Sequence, residues 1–176
     1  MSQAPVSDQT ARGYEPPRTT QFSVFVDNRV GRLLEVIEVF HGKPLVLAGL
    51  SVVDSADHSV VRLLTSHGDL ARRLLERHQL PFSEVGILAV ELGEGKTLAE
   101  MCRCLLAAEL SIHYAYPLLV RPRGLPAIAI HTDDPVLSAQ ILRRKLFTLL
   151  GENDLGDNAS RNTPGSPNGP GGASDN

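Results

Sequence analysis

The sequence predicts an α+β protein built from two consecutive βαββαβ units, each a four-stranded antiparallel sheet with two helices on one face. Three observations carry that prediction. The middle of the chain reads strand, helix, strand, strand, helix, strand; the same order recurs 65 residues later; and both ends are polar stretches with little to bury.

The first unit opens at Gln21 to Val26, where Phe22, Val24 and Val26 alternate with other residues, the period of a half-buried strand. A polar turn, Asp27-Asn28-Arg29-Val30-Gly31, follows. Leu33, Val36, Ile37 and Phe40 then recur at helical spacing and predict a helix whose stripe faces the sheet. Leu45 to Val53 is apolar and rich in β-branched residues, Asp54 to His58 reads as a turn, and Ser59 to Leu64 as another strand. Asp69 is placed to cap a helix carrying Leu70, Leu74 and Leu75, and a further strand begins at Phe82.

The second unit repeats this. Ile87 to Leu92 is a strand, Gly93 to Lys96 a glycine-bearing turn, and Thr97 with Glu100 a capping box that starts a helix. Its stripe is Leu98, Met101, Cys102 and Leu105, the first helix's stripe displaced by 65 at all four positions. Leu45 and Leu47 fall on Leu110 and Ile112 under the same shift. Along that strand Ser111 and His113 are expected on one side, with Leu110, Ile112, Tyr114 and Tyr116 on the other. Ala127 to Thr132 is the next strand, Asp134-Pro135 an N-cap followed by proline at the first helical position, and Phe147 to Leu150 the closing strand. The organisation expected is a disordered segment over 1–20, modules over 21–85 and 86–150, and a disordered Gly/Pro/Asn-rich tail over 151–176.

Charge and cysteine usage exclude several function classes. The 176 residues carry a formal net charge of −3, all of it contributed by the stretch from Gly151 onwards, while Met1 to Thr20 is neutral. The modules are therefore neutral overall and lack the positive field of a nucleic-acid binder. No apolar run approaches the ~20 residues of a membrane span, and the first residues do not read as a signal peptide. Two cysteines, in Cys102-Arg103-Cys104, make no disulfide framework. The expectation is a protein of the reducing cytoplasm, with no nucleic-acid or membrane partner.

Asn28-Arg29-Val30-Gly31-Arg32-Leu33, preceded by Asp27, resembles the D/N-x-P-G-x-L opening of ACT domains, with Val30 where the family often has proline. Gly95-Lys96-Thr97-Leu98-Ala99-Glu100 looks like a looser copy, with Gly95 aligned on Val30 and Lys96 on Gly31. The asparagine often found early in the family's second strand is Val46 in the first unit and Ser111 in the second. Gln21 to about Leu155, three quarters of the chain, is thus similar to tandem ACT proteins. Some of these are labelled by resemblance to the acetolactate synthase regulatory subunit. The resemblance implies ferredoxin-like modules, a small amino-acid ligand, side-by-side or face-to-face assembly into a homodimer, and regulation of a metabolic enzyme.

The first turn supports a ligand role on physical grounds as well. A strand ends at Val26 and a helix begins near Arg32, so the first helical N–H groups of Arg32 and Leu33 are open to an anion. Gly31 permits close approach, and Asn28 offers a donor and an acceptor. The expected zwitterion site comprises Asp27, Asn28, Arg29, Val30, Gly31, Arg32 and Leu33, completed across a module or subunit interface by Ser111 and His113. The plainer reading is that Asn28 caps the helix and Gly31 relieves a turn. The equivalent turn at Leu92 to Thr97 is altered and is expected to bind more weakly or not at all.

Other patterns carry less. Gly93-Glu94-Gly95-Lys96-Thr97 ends like a phosphate-binding loop, but the full pattern requires glycine where Val90 stands. Cys102 and Cys104 lie about 200° apart around a helix and cannot share a metal, and Cys102 is expected in the core. His41, His58, His67, His78, His113 and His131 form no close-spaced pair. Ser111 and His113 have no recognisable carboxylate partner, so they read as a polar sheet face rather than a nucleophilic pair. No metal, cofactor or catalytic constellation is expected. The functional expectation is a non-enzymatic regulatory protein that binds a small amino acid. The alternative is a structural interaction module that dimerises through its sheets and binds nothing, and a weaker option is an enzyme using Lys96 or His113.

Overall fold

Phe22 and Val24 are fully buried on one side of the first strand, as their alternation requires. The computed structural model describes residues 17, 19–55 and 57–156. The first module is β1 (Thr20–Asp27), α1 (Arg32–Glu38), β2 (Leu47–Asp54), β3 (His58–Thr65), α2 (Gly68–Arg77) and β4 (Phe82–Gly86). The second is β5 (Leu88–Glu91), α3 (Leu98–Leu106), β6 (Ile112–Pro117), β7 (Ala127–Thr132), α4 (Pro135–Arg144) and β8 (Thr148–Leu150), followed by a short α5 (Glu152–Gly156). Both sheets are antiparallel, ordered β2-β3-β1-β4 and β6-β7-β5-β8. The two ferredoxin-like units are present in tandem.

The repeat holds in what each helix buries. Val36 and Met101, 65 residues apart, are both fully buried, as are Phe40 and Leu105 to within 6%. The expected stripes need three corrections, at Leu33, Leu98 and Cys102. Leu33 and Leu98, each in the first turn of its helix, are exposed. Val39 and Cys104 complete the buried faces, while Cys102 is exposed. Thr97 Oγ1 accepts from Glu100 N–H at 3.2 Å, but the Glu100 carboxylate turns to Arg103, so half of the capping box forms. Asp134 caps α4 at the Leu137 N–H (2.9 Å). Asp69 does not cap α2: His67 is the N-cap, and Asp69 lies inside the first turn, accepting from Arg72 at 2.8 Å.

A β-bulge interrupts the alternation in both modules. The register of β2 on β3 shifts between Leu47 and Gly49, and that of β6 on β7 between Ile112 and Tyr114. The extra residues, Ala48 and His113, are again 65 apart. One consequence contradicts the expected strand faces: Leu110 and Ile112 pack against the helices, while Tyr114 and Tyr116 cross to the opposite face.

The faces the helices leave bare pack on each other within the chain. Ala48 and Leu64 of the first module join Ile87, Ala89, Tyr116, Ala129 and Leu150 of the second in one buried cluster. Gln21, fully buried, donates to Tyr114 Oη (2.8 Å) and accepts from Tyr116 Oη (2.9 Å). Burial pushes the Tyr116 hydroxyl above its ordinary pKa, so it stays a donor. Leu119 N–H donates to the Ala48 carbonyl at 2.8 Å, and a Cβ on Gly49 would meet Leu118 Cδ2 at 3.0 Å, so the β2 and β6 edges adjoin there. This packing occupies part of the bare surface on which the homodimer expectation rested.

Ordered structure runs past both expected boundaries. Thr19 is buried, with Oγ1 donating to the Leu150 carbonyl at 3.0 Å. Leu155 is fully buried, and the Glu152 carboxylate accepts from Gly68 N–H (2.8 Å) and Thr20 N–H (3.1 Å). Residues 151–156 are therefore structural rather than tail. The rest of the two polar ends, 1–16 and 157–176, lies outside the described residues.

Candidate functional site

The antiparallel pairing that puts Asp27 opposite His58, and Asp54 opposite Ser59, gathers the end of β1, the β2–β3 turn and the start of α1 at one corner. A cavity of about 260 Å³ lies there, lined by Asp27, Asn28, Arg29, Arg32 and Leu33 and by Val52, Asp54, Ser59 and Val61. Five of the seven residues expected in the first turn thus share one wall. Val30 is wholly exposed and outside it.

Charges organise this corner. Arg29 and Arg32 both donate to Asp27 Oδ2, the second at 3.3 Å, and Arg32 Nη1 also reaches Glu35 at 2.5 Å. The Arg29 hydrogen bond, then that of Arg32, holds the Asp27 carboxyl below the usual carboxylate range. Arg32 Nε, by contrast, is buried and has no hydrogen-bond partner. An orphaned guanidinium N–H costs about 1–3 kcal/mol of desolvation and suits an incoming carboxylate. Asp54 accepts from Ser59 Oγ at 2.7 Å and presents a second carboxylate. Leu33 and Val52, 38% and 45% exposed, supply apolar wall.

Three details differ from the expectations. Asn28 Nδ2 donates to the Ser55 carbonyl at 3.2 Å, so this side chain braces the β2–β3 turn instead of capping the helix. Arg32 N–H is taken by the Arg29 carbonyl at 3.3 Å. Gly31 has φ +92° with nothing within 4 Å of a built Cβ. It satisfies a left-handed turn, and a valine there would strain the backbone rather than block access.

Ser111 and His113 are not brought to this corner within one chain. His113 lines a different cavity with Thr20, at the opposite end of β1, roughly 20 Å away at ~3.3 Å per strand residue. Ser111 N–H donates to Asp133 Oδ1 at 3.2 Å. Sequence reasoning missed Val52, Asp54 and Ser59. The βαββαβ order itself contains the signal, since it places the β2–β3 turn beside the end of β1.

A model described as an ACT domain pair matches residues 18–158. The chain belongs to that family. This ACT domain pair is similar to protein BT0572 from Bacteroides thetaiotaomicron, with 25% identity, a TM-score of 0.68, and 79% of this chain and 96% of the other covered. It is also similar to the ligand-free regulatory subunit of aspartate kinase from Thermus thermophilus, with 8% identity, a TM-score of 0.49, and coverage of 74% and 93%. No curated protein matches the chain.

The second module of the pair builds its equivalent corner from different residues. Leu92, Gly93 and Thr97 stand where the first has Asp27, Asn28 and Arg32. Gly93 and Lys96 bond to each other across a tight turn, and Lys96 Nζ donates to the Lys145 carbonyl at 2.6 Å. Among the described residues no group of three or more His, Cys, Asp or Glu could hold a metal ion. No described helix is long and apolar enough to cross a membrane.

Proposed function

We propose that this ACT domain pair is a non-enzymatic regulatory protein that binds one small amino acid at the β1–α1 corner of its first module and signals occupancy to an enzyme of amino-acid metabolism. The observation that carries the reading is the buried, partnerless Arg32 Nε in a cavity that also holds carboxylates. A zwitterion complements that pattern: its carboxylate accepts from Arg32 Nε, its ammonium meets Asp54, and a small side chain rests on Leu33 and Val52. Val52 and Asp54 lie on β2, whose other end carries the bulge and Gly49 at the module interface. Strand β2 thus connects ligand to interface.

Homodimerisation belongs to this proposal. Val53, Val60 and Phe25 form one register row on the bare face of the first sheet, and Val53 and Phe25 are 43% and 42% exposed. A second copy covers that row. His113 lines the other cavity, and Ser111 N–H bonds to Asp133 at its wall.

Calorimetry with each common amino acid tests the reading. One or a few are expected to bind, and Arg32→Lys, which keeps the charge but lacks Nε, is expected to weaken binding by about 1–3 kcal/mol. A silent panel alongside a dimeric mass in light scattering supports the interaction-module alternative and overturns the ligand claim. A monomeric mass overturns the dimer.

A further inference from the structure

A second cavity, of about 550 Å³, lies where the β4–β5 linker of the first module meets β6, β7 and the start of α4 in the second. Its walls are largely apolar, with Val85, Ile87, Leu88, Pro135 and Val136. Its polar feature is a histidine pair, His113 on the bulge of β6 and His131 on β7, with ring centroids 5.3 Å apart. His131 is held in place by its stack on Tyr114, 5.0 Å away and nearly parallel, and Arg62 sits 4.0 Å from the Tyr114 ring centroid. His131 Nδ1 is buried and has no hydrogen-bond partner. The acid at this wall, Asp133, receives the Ser111 and Asp134 N–H groups on Oδ1 at 3.2 and 3.0 Å. The site therefore offers a buried imidazole nitrogen, with the Arg62 cation behind the stacked Tyr114 ring and the Asp133 carboxylate on the wall, beside a roomy apolar body pocket.

The duplication supplies an independent observation. Displaced by 65 residues, Gly68 falls on Asp133, Gly151 on Gly86, and Glu152 on Ile87. The first module's version of this hollow, between the start of α2 and residues Gly151 to Asp154, holds a carboxylate: Glu152 accepts from Gly68 and Thr20 N–H groups. In the second module the equivalent residue is Ile87, which carries no acid. The same fold position is thus a hollow in both copies, about 670 Å³ with an internal carboxylate on its wall in the first and about 550 Å³ with largely apolar walls in the second.

We infer that this inter-module cavity is a second ligand site, and that it takes an apolar monocarboxylic acid whose carboxylate meets His131 Nδ1 and whose aromatic or branched body fills the space beside Val85, Ile87 and Val136. The site is separate from the Asp27–Leu33 corner and does not depend on an amino acid binding there.

The test uses the full chain with three probes of one shape: phenylacetate, its neutral amide phenylacetamide, and the cation phenethylamine. Two-dimensional NMR follows the ring signals of His131, the methyls of Val136 and the amides of Asp27 to Leu33. Phenylacetate is expected to move the His131 and Val136 signals and to bind at least tenfold more tightly than either other probe. His131→Phe keeps the stack on Tyr114 and is expected to erase the preference for acid over amide. Val136→Trp, at a half-exposed position, is expected to fill the cavity and abolish binding of all three. Equal binding of acid and amide, no movement at His131 and Val136, or movement confined to the Asp27–Leu33 amides would each overturn the inference. Equal binding of acid and amide, or silence at His131 and Val136, leaves amino-acid binding at the corner unaffected.

Discussion

Leu146 follows α4 with φ +63°, a left-handed conformation that costs an L-residue roughly 1 kcal/mol, and its side chain is 78% exposed. Leu146→Gly is therefore expected to stabilise the chain by about 1 kcal/mol, read as a higher melting temperature. An unchanged or lower Tm contradicts the assignment. His131 gives a pH-dependent counterpart. Burial, then His113 and Arg62, holds its imidazole below the ordinary value of 6.5. The unfolded chain therefore binds more protons across mildly acidic pH, and stability falls as pH drops from 6.5 through the folded value. Tyr114 is stacked on the same ring. His131→Phe is expected to reduce the loss in urea midpoint between pH 7.5 and 5.5; an equal loss in both proteins refutes the assignment.

At the scale of elements, Gly49 is tightly enclosed, since a Cβ there would come within 3.0 to 3.2 Å of Leu118, Tyr116 and Leu64. Gly49→Val is expected to cost about 1–3 kcal/mol by overpacking the strand pair that joins the modules. Gly86→Val is the control, since nothing lies within 4 Å of its Cβ. Truncation after Leu150 removes the buried Leu155 and the Glu152 carboxylate together, and is expected to lower the melting temperature by several degrees. Periodicity identified the elements, and the positions it placed in the core at the centre of each helix, Val36 and Met101, are buried. It misplaced Leu33, Leu98 and Cys102 because α1 and α3 have only 7 and 9 residues, too few to define a face to within one position. The bulges at Ala48 and His113 were not legible, since a bulge is a property of two paired strands and leaves no mark on either alone. The partnerless nitrogen of Arg32 is the same kind of fact: the sequence marks the residue, and only the packing around it marks the atom.

For the whole molecule, the two sheets share a buried cluster and the Gln21–Tyr114–Tyr116 hydrogen bonds, so neither module has a complete surface of its own. A 65-residue unit buries little area alone, and separately expressed halves are expected to be unfolded or aggregated. Two stable monomeric halves would contradict that interdependence. Between the modules the duplication has diverged in its charges: Asp27 and Arg32 mark one corner, Leu92 and Thr97 the other. The central claim, amino-acid binding at the first of these, is tested most directly by the arginine Nε–H signals of the full chain during titration with each common amino acid. The account predicts that one or a few amino acids move the Arg32 Nε–H signal together with the Asp27–Leu33 amides, leaving those of Leu92 to Thr97 in place. A panel in which none moves the Arg32 signal, or in which the second corner responds and the first does not, would contradict it.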